Sequence, residues 1–237
     1  MGEDRISKQN LDYVFQPKSV AIAGVSTKQA AFSFGRRYLK AMLDHEFKGK
    51  VYPLNPEGGG IWGLKIYANI RDIPEPIDYV ISCISAPAAL QLIKDCAMKK
   101  VKFVQLFTSG FSETDTEEGR QLENELCSLA HQGGIRIIGP NCLGVYCPKA
   151  NLSYYAEFPR EGGSVAFICQ SGGYTTYLVR EAARRGVRFS KVVSYGNAAD
   201  VNESDLLEYL ATDSDTEIIL AYIEGVKDGR RFSQVLK

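Results

Sequence analysis

From Ser19 onward, short apolar runs alternate with amphipathic stretches. SVAIAG (19–24), KVYPL (50–54), DYVISCI (78–84), KFVQLF (102–107) and IRII (135–138) are brief and bounded by Gly, Pro or polar residues, which predicts buried strands. The segments between them carry helical spacing. Residues 34–43 put Phe34, Tyr38, Leu39, Met42 and Leu43 on one stripe, and residues 87–99 open on Pro87 and align Leu90, Ile93 and Ala97. Residues 115–132 carry Leu122, Leu126, Leu129 and Ala130, with acids in the first turn and Gly133 just past the end. Strands alternating with helices predict a parallel sheet with right-handed crossovers.

After Asn151 the rhythm restarts. SVAFIC (164–169) reads as a strand, and SGGYTTYLVREAARRG as a helix with Arg184 and Arg185 in its last turn and Gly186 as its stop. KVVSY (191–195), a helix near 203–211 and EIILAYI (217–223) follow. The segment 143–163, with its Pro, Gly and Tyr content, reads as a connection, so two α/β units are expected, 1–156 and 157–237. The second shows three strands, short for an open α/β sheet; a polypeptide cut short is expected, with completion by a partner as the alternative.

Composition narrows the classes of function. Lys plus Arg and Asp plus Glu are 28 each, so no basic excess calls for nucleic acid or an anionic membrane surface. No apolar run approaches the ~20 residues that span a bilayer. The start, MGEDRISKQN, is too charged for a signal peptide, and Ile6 breaks the myristoylation pattern. Six cysteines without CxxC spacing, several inside apolar runs, read as reduced thiols. With His45 and His131 the only histidines, no metal site is expected, and the location expected is the cytoplasm.

The first strand runs into Gly24-Val25-Ser26-Thr27-Lys28, with Gly35 opening the helix beyond. A strand, a Gly/Ser turn and a helix N-terminus offer free N–H groups and a favourable dipole to a phosphate. A nicotinamide dinucleotide calls for G-x-G-x-x-G and an acid at the end of the second strand. Here Ser26, Gln29 and Asn55 stand instead, while Lys28, Arg36 and Arg37 place positive charge beside the loop. On the loop alone, a phosphate cradle and a plain tight turn stand level. Ligands of open parallel sheets lie outside the carboxyl ends of the strands. Those ends read Leu54-Asn55-Pro56, Ile84-Ser85-Ala86-Pro87 and Phe107-Thr108-Ser109-Gly110-Phe111, small and polar enough for a long thin ligand, though each singly is ordinary turn chemistry.

Taken in order, PKSVAIAGVS, GKVYPLNP, YANIRDIPEPIDYVISCISAP, FTSGFSE, GIRIIGPNCLG and SVAFICQSGGYTTYL resemble the nucleoside-diphosphate-forming acyl-CoA synthetases and, more distantly, the α subunit of succinyl-CoA synthetase. The resemblance covers about Phe15 to Gly229. It implies a Rossmann-like CoA-binding domain followed by an incomplete flavodoxin-like domain. By position, Gly24, Ser26, Lys28 and Gly35 would hold the CoA phosphates, and Asn55 and Pro56 would flank the nucleotide. Ser85, Ala86 and Pro87 would touch the CoA, while Thr108, Ser109 and Gly110 would guide the pantetheine. After Pro56 the chain departs from the succinyl-CoA synthetase pattern, reading Glu57-Gly58-Gly59-Gly60 where Lys often stands.

The resemblance also implies a reaction centre. Asn141 lies in the GPNC motif, and Cys142 beside it is a nucleophile only if a base adjoins it; a small apolar filler is the simpler reading. Ser171, Gly172 and Gly173 would hold the phosphoryl group of a phosphohistidine. A plain Ser N-cap is the alternative, but two helical glycines sacrifice up to ~2 kcal/mol relative to alanines, which favours function. Glu224 would orient and deprotonate that histidine; without the resemblance it is a solvated strand-end acid. Neither His45 nor His131 follows the family's motif, so the phosphorylated histidine is expected outside this chain. The same holds for the ATP-grasp domain or β subunit that would carry ADP or ATP with Mg. The expected function is the CoA-binding part of an acid–thiol ligase, inactive alone and oligomeric when complete. A CoA-sensing module without the phosphohistidine is the alternative, and a nicotinamide oxidoreductase is disfavoured by Ser26, Gln29 and Asn55.

Overall fold

In the computed structural model, residues 8–28 and 33–237 are described, with side chains from Leu11 onward. Ile6 and Gln29, used above, lie outside the described residues. The apolar runs become strands buried along their whole length: β1 (Ser19–Ala23), β5 (Tyr79–Ser82) and β6 (Phe103–Leu106). Such continuous burial is what a sheet covered on both faces requires. With β2 (Lys50–Leu54) and β7 (Arg136–Ile138) they form a parallel sheet in the order β2-β1-β5-β6-β7. The helices α2 (Phe34–Asp44), α3 (Ala86–Lys99) and α4 (Glu117–Gln132) make the crossovers, within a residue or two of the predicted spans. The winding reverses between β1 and β5, so the ligand crevice of this sheet opens at their carboxyl ends.

The second sheet has the order β11-β9-β10-β8, built from β9 (Val165–Cys169), β10 (Phe189–Ser194), β11 (Ile218–Tyr222) and β8 (Gly144–Tyr146). Here the reading of 143–163 as a mere connection is corrected. Gly144–Tyr146 pairs antiparallel with Ser194–Val192 and adds an edge strand to the second sheet. Helices α5 (Gly172–Arg184) and α6 (Glu203–Leu210) connect its parallel strands, and α7 (Gly229–Val235) follows β11. Two elements were not predicted at all. A hairpin of β3 (Gly59–Ile61) and β4 (Leu64–Ile66) hangs beyond β2, and α1 (Lys8–Phe15) precedes β1.

The two sheets share packing. One cluster of buried side chains runs from Leu11, Val14 and Phe15 through Tyr38 and Phe103 to Phe167, Val192 and Leu206. Phe15 stacks on Tyr209 at 4.9 Å, and the Tyr209 hydroxyl donates to Asp12 Oδ1 at 2.7 Å. The amino-terminal helix is thereby clasped to the second unit. All six cysteines are free, and no group of metal-ligating side chains occurs among the described residues. No helix there is long and apolar enough to cross a membrane.

Candidate functional site: a phosphate cradle and a second helix terminus joined by the GPNC loop

The chain leaves β1 through Gly24, whose φ of +92° is open to glycine and strained for other residues. Both Gly24 N–H and Val25 N–H donate to Leu54 O at 3.1 Å, tying the loop to β2. Ser33 caps α2: its hydroxyl accepts from Arg36 N and donates to Gly24 O at 2.9 Å. Gly35 then lies directly on the Gly24 carbonyl. Ser26 Oγ accepts from Lys28 N at 3.2 Å, and the Lys28 side chain is exposed. Gly24, Ser26, Lys28 and Gly35 are therefore brought together at one strand end.

Its neighbours are brought to the same edge, with roles partly different from those expected. Asn55 uses its amide to hold Val25 O at 3.0 Å and its carbonyl to accept from Glu57 N, so it fastens the loops; Pro56 is exposed beside it. Ser85 caps α3 without a side-chain bond to the helix, leaving an exposed hydroxyl; Ala86 is buried and Pro87 exposed in the first turn. The Thr108 hydroxyl is turned inward, donating to Ile84 O at 2.7 Å, while Ser109 is exposed. Gly110 N–H is engaged by Glu113 Oε1 at 2.6 Å. Arg36 stays at the loop, donating to Lys28 O at 2.9 Å, whereas Arg37 leans away onto the Tyr155 ring at 3.6 Å.

The second helix terminus lies at the carboxyl end of β9. Ser171 Oγ accepts from Tyr174 N at 3.2 Å, so the capping reading and the phosphate reading meet in one residue. A Cβ at Gly172 would come 3.1 Å from Leu143 Cγ, whereas open space faces Gly173. Packing accounts for the first glycine and not the second. Glu224, exposed at the end of β11, is fixed by its own N–H and that of Gly225 donating to Gln170 Oε1. Its charge helps hold the Cys169 thiol above its ordinary pKa, after burial, which is the larger cause. The Glu224 backbone is thus held against Gln170, at the strand end that opens into Ser171.

Between these two termini runs residues 139–144, the GPNC loop. A cis bond joins Gly139 to Pro140, and Asn141 follows with φ +56°. Asn141 N–H donates to Thr108 O at 2.9 Å, and its exposed side chain approaches Asn197 Oδ1 at 3.5 Å. Leu143 O accepts from Tyr38 Oη at 2.8 Å and from Gln105 Nε2 at 3.0 Å. Cys142 is buried with its sulfur against Leu106 O and Ile138 O, and burial pushes its thiol far above the ordinary range. A thiol so held is a poor nucleophile, which supports the filler reading.

Three residues at this junction were not singled out in advance: Gln170, Glu113 and Asn197. Glu113 Oε2 accepts from Asn197 Nδ2 at 2.6 Å, and Glu123 Oε2 accepts from the same nitrogen at 2.9 Å. Glu113 lies inside the FTSGFSE motif, but its partner is 84 residues away, a pairing no local pattern announces. His45 is buried past the end of α2, and His131 is exposed in the last turn of α4. Crossover helices run antiparallel to their strands, so both histidines lie toward the edge opposite the cradle.

Residues 18–148 match the CoA binding domain family, and residues 162–237 match the succinyl-CoA ligase like flavodoxin domain. The chain belongs to this family of CoA-binding, ligase-type α/β proteins. It is 40% identical over 227 residues to the acetate–CoA ligase [ADP-forming] II subunit alpha of Pyrococcus furiosus, covering 96% of this chain and 49% of that one. It superposes with a TM-score of 0.88 on the crystal structure of PH0766 from Pyrococcus horikoshii OT3, at 39% identity, covering 95% of this chain and 51% of that one. The dinucleotide forming acetyl-coenzyme A synthetase 1 of Ca. Korarchaeum cryptofilum, solved in complex with phosphate and ADP, gives a TM-score of 0.87 at 36% identity, with 95% and 48% covered. The chain thus spans about half the length of these relatives.

Proposed function

We propose that this chain is the CoA-binding part of an acid–thiol ligase that interconverts acyl-CoA, ADP and phosphate with carboxylate, CoA and ATP. The observation that carries the reading is that one loop, residues 139–144, meets the end of β6 through Asn141 N–H and Thr108 O, α2 through Leu143 O and the Tyr38 hydroxyl, and the start of α5 at Gly172. CoA lies with its phosphates on Gly24, Ser26, Lys28 and Gly35, flanked by Asn55 and Pro56 and touched by Ser85, Ala86 and Pro87. Its pantetheine passes Thr108, Ser109 and Gly110 toward Asn141, beside the start of α5. An oxygen of phosphate attacks the thioester carbonyl, the C–S bond breaks, and the thiolate leaves and takes up a proton. A histidine nitrogen from outside this chain then attacks the phosphorus of the acyl phosphate, expelling carboxylate. ADP finally attacks the phosphohistidine, and the P–N bond breaks to give ATP.

Within that sequence the residues of this chain supply orientation and charge stabilisation. Ser171 and the N–H groups of Gly172 and Gly173, with the α5 dipole, offset the phosphoryl charge. Glu224 orients the incoming imidazole and accepts its proton, and Asn141 offers an amide to the acyl phosphate. An ATP-grasp domain or β subunit carries the nucleotide with Mg. Strand β11 lies at the sheet edge with Ile218, Leu220 and Tyr222 exposed, which supports a partner surface and an oligomeric assembly.

The test is calorimetric titration with CoA. Binding is expected to weaken roughly tenfold in Lys28→Glu, most strongly at low salt, because charge reversal at an exposed phosphate contact is screened by ions. Absence of binding heat from the wild-type chain at millimolar CoA would sink the reading.

A further inference from the structure

The β3–β4 hairpin turns through only two residues, Trp62 and Gly63, with φ of +48° and +82°. Two positive φ values in a two-residue hairpin turn favour Asn-Gly, and a bulky side chain is strained in that region. Yet this position holds the only tryptophan of the chain, 49% exposed. A local preference broken with no burial in return is the pattern expected where a side chain serves a ligand.

The surroundings say which ligand. The hairpin is fastened to the carboxyl end of β2: Asn55 N–H donates to Tyr67 O at 3.0 Å and Gly58 N–H to Asn55 O at 2.8 Å. A Cβ at Gly59 would lie 3.6 Å from Thr27 Cγ2, inside the cradle loop. The Arg36 guanidinium lies over the Trp62 ring, 5.4 Å from its centre, while its Nη1 holds Lys28 O. One arginine thus ties the indole to the loop, placing a flat, half-exposed ring at the rim of the cradle with a cation against it. Among the described residues, Phe34 is also exposed at this edge, but it packs on Phe107 at 4.1 Å, on the side of β6. The ring and the cradle loop thus share one rim, linked through Arg36 and through Thr27 against Gly59.

We propose that Trp62 is the stacking platform for the adenine ring of CoA, with Arg36 holding the indole in place. The assignment rests on the CoA reading above. Loss of base–aromatic stacking is expected to cost about tenfold in affinity. CoA, adenosine 3′,5′-bisphosphate and 4′-phosphopantetheine are titrated into wild type, Trp62→Ala and Trp62→Phe. Trp62→Ala is expected to weaken CoA and the bisphosphate about tenfold while leaving phosphopantetheine unchanged, with Trp62→Phe recovering most of the loss. Because the chain has one tryptophan, its emission is expected to be quenched by CoA and the bisphosphate and not by phosphopantetheine. Equal CoA affinity in all three proteins with unquenched emission would overturn the assignment and leave the CoA reading intact. An equal loss for phosphopantetheine would overturn it as well, by showing that the substitution damages the whole cradle. If wild type fails to bind CoA, the reading beneath falls, and the role of Trp62 with it.

Discussion

A methyl group added at Gly35 would stand 2.5 Å from Gly24 O and 2.9 Å from Val25 N, both backbone atoms with no rotamer to yield. Alanine gains up to about 1 kcal/mol in helix propensity over glycine. Forcing extra volume into a packed site costs about 1–3 kcal/mol, so the clash wins. Gly35→Ala is expected to lower the melting temperature by a few degrees and to abolish measurable CoA binding, since the loop itself must move; calorimetry and a thermal scan report both. The composition of this loop was readable from the chain, because Gly24 and Gly35 bracket a strand-to-helix turn. What the spacing could not announce is that Asn55 and Thr108, placed at strand ends as ligand contacts, spend their polar atoms on Val25 O and Ile84 O. A short polar side chain at a strand end has backbone groups within reach, and only their positions decide whether they take it first.

Elements with strong periodicity were legible, and those defined by pairing were not. The predicted helix near 203–211 starts where Asn202 accepts from Ser204 N and Asp205 N, and Asp205 returns a bond to Asn202 N. Asn202 is half-buried and Asp205 buried at the entry to α6, and Asp205 further pairs with Arg231 at 2.7 Å. Asn202→Ala is expected to cost about 1–2 kcal/mol, read as a lowered denaturation midpoint with an unchanged slope. By contrast, β8 is three residues long, and its partner strand lies near residue 193, so nothing local marks it as a strand. The β3–β4 hairpin lacks a local signal for another reason: Trp-Gly occupies a turn whose usual signal is Asn-Gly.

Across the whole molecule, the junction between the two units is held by polar contacts of long sequence separation. Arg136 Nε donates to both oxygens of Asp200 at 2.9 and 2.8 Å, and Ala199 N–H donates to Gly139 O. Glu113 joins them through Asn197. Partial burial raises the Glu113 pKa, but hydrogen bonds from Asn197, Gly110 N–H and Phe111 N–H outweigh it and hold the carboxyl below its ordinary value. A depressed carboxyl stabilises fully above its unfolded pKa of about 4.3 and loses that contribution as pH falls through the lower folded value. The difference in melting temperature between wild type and Glu113→Gln is therefore expected to be largest near neutrality and to shrink below about pH 4. A difference independent of pH would show that the contact is not ionic. Period, apolar runs and turn residues specified the strands, crossover helices and glycine loops, because each follows from the local geometry of the backbone and from which side chains leave water. The clasp of α1 onto α6, the antiparallel edge strand, the Glu113–Asn197 bridge and the seat of Trp62 beside Arg36 came from the folded chain alone. Their partners meet only after distant segments have packed, and the free energy that selects them belongs to the pair rather than to either stretch of residues.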